Sequence, residues 1–132
     1  NRLYVAEHNN RRIQVLDTAG HVLRIIHIDV PYPPDAHTVL GSRQAAVNQP
    51  GAPWALCITP GPTQYLYVSD AFPGRIYKLT LDGRVLGWLG RAGRQPGQFG
   101  WVHALACPSE NVIYAAEILN WRVQKLILHP PH

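Results

Sequence analysis

One pattern of strand, acid and arginine occurs three times in this chain, and it limits the possible fold more than any other feature. Each copy has five residues that begin with an aliphatic side chain and a tyrosine and end in a carboxylate, then four residues, then an arginine that opens a second segment. The copies are 3–7 with 12–16, 66–70 with 75–79, and 113–117 with 122–126. Two such segments around a short polar turn predict two antiparallel strands per copy.

Further short strands flank these pairs. An outer strand is predicted after the first two copies, at 21–26 and 84–88, and a small apolar inner strand precedes the second and third copies, at 54–58 and 103–107. The copies start at Leu3, Leu66 and Ile113, so the period is 63 and then 47 residues. About four strands per unit at such a period is typical of propeller blades, which stack around a common axis.

We therefore predict an all-β fold, a β-propeller fragment of about three four-stranded blades. It forms a single partial propeller domain over 1–132, with a partial blade at 1–26, an inserted loop at 27–49, a full blade at 50–90 and a partial blade at 91–132. The proline-rich loop explains the longer first period. Propellers close with about four to eight blades, so missing blades or a second copy of the chain must complete the ring.

The charge pattern argues against a nucleic-acid partner, and the length of the apolar runs argues against a membrane span. The formal net charge is +4, and the basic residues are spread from Arg2 to Lys125. Nucleic-acid binders concentrate such residues on one face, so we expect a solvated basic surface and no nucleic-acid partner. No apolar run reaches the ~20 residues that span a bilayer, and no membrane span is predicted.

Cys57 and Cys107 are the only cysteines, and each lies in a short apolar segment. We expect both to be buried free thiols. A disulfide between inner strands of neighbouring blades is the alternative, because those strands could bring the two Cα atoms within about 7 Å.

The third unit carries a family resemblance. The run 90–99, the strand at 113–117 and the segment 120–124 together resemble the NHL repeat. More narrowly, residues 51–130 are similar to bacterial exported six-bladed propellers related to the peptidyl-hydroxyglycine amidating lyases. The resemblance implies that the three blades are half of a six-bladed ring. It also implies export to the periplasm or the extracellular space.

The repeated acid and arginine of each unit could either brace a turn or bind a ligand. The pairs are Glu7 with Arg12, Asp70 with Arg75, and Glu117 with Arg122. A catalytic group is needed once per site, whereas a turn-bracing ion pair is needed once per blade. We therefore interpret the pairs as structural, each acid joining its arginine and the turn backbone.

Candidate ligand-binding residues are the side chains expected near the mouth of the propeller channel. They are Trp54, Phe72, His103 and Trp121. In the amidating lyases that the chain resembles, channel histidines hold a zinc ion, so His103 is also a candidate zinc ligand. A catalytic zinc takes about three protein ligands, so others would have to come from missing blades or from His27 and His37 of the loop. The alternative is a hydrogen-bonded histidine without metal.

These observations favour a binding scaffold for a small molecule, a peptide or a partner protein at the channel mouth. No catalytic residue is assigned, because the chain has no Gly-rich phosphate loop and no nucleophile elbow. The first alternative is a zinc-dependent peptidyl-hydroxyglycine amidating lyase, which the resemblance and His103 suggest. The second is an RNA-binding NHL module.

Overall fold

The computed structural model describes residues 1–38 and 49–129, and this part of the chain is all-β apart from one short turn of 3₁₀ helix at His8–Asn10. The strands are β1 (Arg2–Glu7), β2 (Arg12–Asp17), β3 (Val22–Ile26), β4 (Pro53–Ile58), β5 (Tyr65–Asp70), β6 (Ile76–Thr80), β7 (Val85–Leu89), β8 (Val102–Ser109), β9 (Val112–Glu117) and β10 (Arg122–Ile127). None of the described residues belongs to a helix long and apolar enough to cross a membrane.

The strands form three antiparallel sheets that follow one another along the chain. The first sheet has the order β1-β2-β3, the middle sheet β4-β5-β6-β7, and the third sheet β10-β9-β8. Between sheets, β4 contacts both β1 and β8. The all-β class and the three predicted sheets are therefore confirmed for the described residues, and the three sheets meet at β4.

The middle sheet is covered on both faces, and β5 shows how. Leu66 and Val68 pack in one core cluster with Ile13 of the first sheet. Tyr67, which lies between them in sequence, packs in a second cluster with Ile113 of the third sheet. Because successive side chains of a strand point to opposite faces, a strand between two sheets must be apolar on both. This explains why β5 is almost continuously hydrophobic.

The outer faces of the first and third sheets are not covered by any described part of the chain. Leu3 and Val5 of β1 and Val123 and Ile127 of β10 are all exposed large apolar residues. Scattered exposed apolar residues are ordinary, but several on one sheet face indicate a surface that can be covered.

The turn before each repeated arginine has the same backbone shape in all three sheets. Arg11, Gly74 and Trp121 occupy this position, with φ of 52°, 87° and 54°. Positive φ costs a side-chain-bearing residue about 1–2 kcal/mol, and glycine avoids that cost. Only the middle sheet uses glycine here, so the turn geometry is imposed by the strand pairing and not by the local residue type.

A disulfide joins Cys57 of β4 to Cys107 of β8, with the two Cα atoms 6.1 Å apart. The expectation of free thiols was therefore wrong, because β4 and β8 lie side by side and bring the cysteines together. The linked residues are 50 positions apart. Closing a loop of that length in the unfolded chain contributes about 4 kcal/mol to stability in the chain-entropy account.

The predicted inserted loop is described only in part. Residues 27–38 contain no helix or strand, and Ile28 is buried in the core cluster between the first and middle sheets. Residues 39–48 of the predicted loop lie outside the described residues. The described part of the loop therefore contributes to the core as well as to the surface.

Candidate functional site

Four ring side chains from three sheets gather at one place, and we call them the ring cluster: His8, Trp54, Trp101 and His103. The ring of Trp54 in β4 is stacked on His8, just after β1, with centroids 4.1 Å apart. Trp101, directly before β8, and His103, near the start of β8, approach the same indole at centroid distances of 4.8 Å and 5.3 Å. Trp54 is therefore the centre of the cluster, and each sheet supplies at least one ring.

A buried hydroxyl fixes the two strands that carry Trp54 and His103. Ser69 Oγ of β5 accepts a hydrogen bond from the backbone N–H of Ala55 at 3.1 Å and donates one to the carbonyl of Val102 at 3.0 Å. Trp54 and Ala55 are neighbours in sequence, and so are Val102 and His103. One side chain thus ties the beginning of β4 to the beginning of β8 and holds the two rings in register.

The cluster is partly open to solvent and contains an unpaired donor. Trp54 and Trp101 are half-buried, whereas His103 is exposed. The indole Nε1 of Trp101 is buried and has no hydrogen-bond partner among the described residues. Buried polar groups usually have a partner, so an unpaired indole N–H is unusual at this position.

The structure places the four predicted rim residues in different surroundings. Trp54 and His103 come together in the ring cluster. Phe72 is fully buried, and its ring meets the edge of Tyr32 at 5.1 Å between centroids. Trp121 is 93% exposed, in the turn between β9 and β10.

Sequence reasoning did not assign His8 or Trp101 to the site. A signal for His8 was available in the repeat alignment. His8 follows the repeated acid, at the position where the other units have Ala71 and Ile118. A polar ring that replaces a small or aliphatic residue at an equivalent position indicates a role that the other units do not share.

The repeated acid and arginine form ion pairs in the two end sheets. Arg12 Nε donates to Glu7 at 2.5 Å, and Arg122 Nε donates to Glu117 at 2.7 Å. Gln124 Nε2 also donates to Glu117, at 2.9 Å. In these two sheets the pair braces the turn between the strands, as the structural interpretation expects.

The middle sheet departs from the predicted ion pair. Asp70 accepts hydrogen bonds from the backbone N–H groups of Gly74 and Arg75 at 3.1 Å and 2.9 Å, and from the Tyr77 hydroxyl at 2.6 Å. The salt bridges among the described residues do not include Asp70 with Arg75. Burial raises the pKa of Asp70 to about 7 in spite of these donors. The predicted pairing is therefore corrected here: Asp70 braces the turn without the arginine side chain.

The donor set expected for zinc is not brought together. The described residues contain no group of three or more His, Cys, Asp or Glu side chains that could hold a metal ion. His27 Nδ1 lies 3.3 Å from the carbonyl of Arg11, and His37 Nδ1 lies 3.2 Å from the carbonyl of Thr38. Since catalytic zinc takes about three protein ligands, His103, His27 and His37 do not form such a site in the described part of the chain.

Comparison with known proteins identifies no family model that matches the chain and no similar curated protein. The ring cluster is a candidate binding site that the described residues form.

Proposed function

We propose that this protein is a binding scaffold, an NHL-type β-propeller fragment that holds a small molecule, a peptide or a partner protein at the mouth of its channel. One observation carries the proposal. Trp54 contacts the rings of His8, Trp101 and His103, and these side chains come from three sheets. Binding residues concentrate where loops and strand ends of several units converge on a rigid scaffold.

The ring cluster suits a ligand that carries a flat or apolar group next to a hydrogen-bond acceptor. Indole rings offer large apolar faces for stacking together with one polar N–H. The exposed imidazole of His103 can donate or accept a hydrogen bond. An aromatic or prolyl ring that stacks on Trp54 would place an adjacent acceptor within reach of such donors.

The propeller part of the proposal is supported by the arrangement of the sheets. Three antiparallel sheets follow in chain order, the middle one packs between the other two, and β4 contacts both β1 and β8. Blades of a propeller pack in this manner. The uncovered faces of the end sheets would then be completed by missing blades or by a second copy, to give a six-bladed ring.

Export is proposed on two grounds. The resemblance to exported propellers is the first. The second is the disulfide between Cys57 and Cys107, because disulfides persist mainly in oxidising compartments such as the periplasm or the extracellular space.

The four tryptophans of the chain provide an internal test of the binding site. The indole N–H signals of ¹⁵N-labelled protein are recorded while aromatic fragments and short proline-rich or aromatic peptides are added. We expect saturable shifts of the Trp54 and Trp101 signals and unchanged signals from Trp88 and Trp121. Trp54→Ala should abolish binding, and the matched variant Trp121→Ala should retain it. A library that leaves Trp54 and Trp101 unmoved, or binding that survives Trp54→Ala, would contradict the proposal.

Two additions to the same sample separate the alternative functions. Stoichiometric Zn²⁺ binding that is lost in His103→Ala would favour the amidating lyase. Binding of single-stranded RNA that weakens steeply with added salt would favour the RNA module.

A further inference from the structure

Arg75 lacks the partner that its counterparts keep. In the end sheets, Arg12 and Arg122 each donate through Nε to a glutamate, at 2.5 Å and 2.7 Å. Arg75 occupies the same repeat position in the middle sheet. Among the described residues, no carboxylate oxygen lies within 4.0 Å of its side-chain nitrogens.

The cause is a difference of one methylene group. Asp70 stands where the end sheets have glutamate, and its shorter side chain accepts from the backbone N–H of Gly74, the backbone N–H of Arg75 and the Tyr77 hydroxyl. The carboxylate is therefore used within its own turn. The guanidinium of Arg75 is left without an ion-pair partner from the repeat, and its side chain interacts with the Tyr77 hydroxyl, the same group that donates to Asp70.

This guanidinium is nevertheless buried. Arg75 is only 6% exposed, and its Nη1 has no hydrogen-bond partner among the described residues. Its Cζ lies 5.5 Å from the centroid of the Trp88 ring. A cation–π contact offsets part of the cost of burial, but buried charges are otherwise paired, because an unpaired one loses its hydration without compensation.

A cavity of about 620 Å³ lies beside the unpaired cation. Arg75 and Arg91 supply two guanidinium groups to its lining, and Asp35 supplies one carboxylate. Trp88 and Pro73 provide apolar wall. The volume falls in the range of about 300–1,000 Å³ that is usual for small-molecule sites, and the charged groups of the lining leave a net positive charge.

We propose that this cavity binds the oxyanion group of a small molecule, a carboxylate or a phosphate, with Arg75 as its main counter-charge. The planar guanidinium matches both groups, since it presents N–H donors in a fixed fork. The site shares no residue with the ring cluster, so it is a second binding site and does not depend on the proposed function.

Two probes distinguish the two oxyanions. Inorganic phosphate and acetate are each titrated at constant ionic strength, with chloride as the balancing salt, while the indole signal of Trp88 is followed. Saturable movement of Trp88 by phosphate or by acetate supports the site and identifies the preferred group. The signals of Trp54, Trp101 and Trp121 should stay in place. If neither anion moves Trp88 in a saturable way, the proposal is wrong whatever happens at the ring cluster.

Variants test the role of the guanidinium. Arg75→Gln should weaken the preferred anion at least about tenfold. Arg84→Gln, the matched change of an exposed arginine in the turn before β7 that does not line the cavity, should leave the affinity unchanged. Asp70→Glu restores the acid of the end sheets and should weaken anion binding by pairing Arg75. Unchanged anion affinity in both Asp70→Glu and a folded Arg75→Gln would overturn the assignment of Arg75. If Arg75→Gln does not fold, unchanged affinity in Asp70→Glu alone overturns it.

Discussion

At the scale of single residues, the repeated acid behaves differently in the middle and end sheets. Hydrogen bonding from Arg12 lowers the pKa of Glu7. Burial opposes ionisation of Glu117, but hydrogen bonds from Arg122 and other donors outweigh it and lower its pKa. No arginine side chain among the described residues forms an ion pair with Asp70, and burial raises its pKa to about 7. The acid at one position of the repeat therefore has a lowered pKa in two sheets and a raised pKa in the third.

The raised pKa of Asp70 predicts a specific pH dependence of stability. Between its ordinary pKa of 3.8 and about 7, the folded state holds a proton that the unfolded state releases. The contribution of Asp70 to folding stability is therefore fully present below pH 3.8 and is lost as the pH rises to about 7. In this range the free energy of unfolding falls by at most about 1.4 kcal/mol per pH unit. Asp70→Asn should remove this decline in the free energy of unfolding, which is measured by urea unfolding at several pH values from 4 to 8. The control Asp82→Asn changes an exposed acid whose pKa is lowered by its hydrogen bond with Thr80, and it should keep the decline. A decline that persists in Asp70→Asn would show that Asp70 is not its source.

Part of the candidate site could be predicted from the sequence. Trp54 and His103 occupy equivalent positions in the inner strands of two neighbouring units, so repeat alignment alone predicts that they lie near each other. His8 joins them by stacking between sheets, which depends on how the sheets pack and not on any local pattern. The ion pair between Asp70 and Arg75 is absent because the aspartate side chain is one methylene group shorter than glutamate. The repeat pattern treats the two acids as equivalent, so it does not predict this difference.

At the scale of secondary structure, the repeat predicted the strands to within a residue or two. The predicted segments 66–70 and 75–79 correspond to β5 (Tyr65–Asp70) and β6 (Ile76–Thr80). Pairing within a unit follows from short turns and alternating side chains, which are local. The disulfide was predicted only as the alternative to free thiols, because the distance between β4 and β8 is set by packing between sheets and no local pattern encodes it.

Two glycines with similar backbone angles give a matched test of the turn geometry. Gly20 has φ of +91°, and a Cβ built there would meet no atom within 4 Å. Gly74 has φ of +87°, and its Cβ would lie 2.7 Å from the backbone nitrogen of Ala92. Gly20→Ala should cost about 1 kcal/mol through backbone strain alone, and Gly74→Ala should cost about 2 kcal/mol more through overpacking. Denaturant unfolding of both variants measures the difference. Equal losses would mean that the connection around Ala92 moves aside freely.

At the scale of the whole molecule, the uncovered face of the first sheet repeats a face that the middle sheet buries. Leu3 and Val5 of β1 occupy the repeat positions of Leu66 and Val68 in β5. Leu66 and Val68 are buried against the first sheet, whereas Leu3 and Val5 are exposed. The exposed face of the first sheet is therefore equivalent to the face through which the middle sheet packs on the sheet before it.

The third sheet offers the opposite side. Tyr114 and Val123 occupy the repeat positions of Tyr67 and Ile76. In the middle sheet these positions are buried against the following sheet, but in the third sheet both residues are exposed. The two uncovered faces are therefore equivalent to the two sides of a sheet-to-sheet interface within the chain. We expect the face of the third sheet to pack on the first-sheet face of another copy.

This complementarity predicts that the 132-residue chain associates end to end and that two copies close by using both faces of each. Sedimentation equilibrium should show a dimer, because each uncovered apolar face gains from burial. Leu3→Lys with Val5→Lys blocks one face, and Val123→Lys with Ile127→Lys blocks the other, so each double variant alone should be monomeric. An equimolar mixture of the two should regain weaker dimers through the one intact pair of faces. A self-complementary contact through a single face would instead leave one of the two double variants dimeric on its own. Leu86→Lys, at an exposed apolar residue of the middle sheet, is the control and should dimerise like the unmodified chain. An unmodified chain that stays monomeric at high concentration would show that the two faces do not recognise each other.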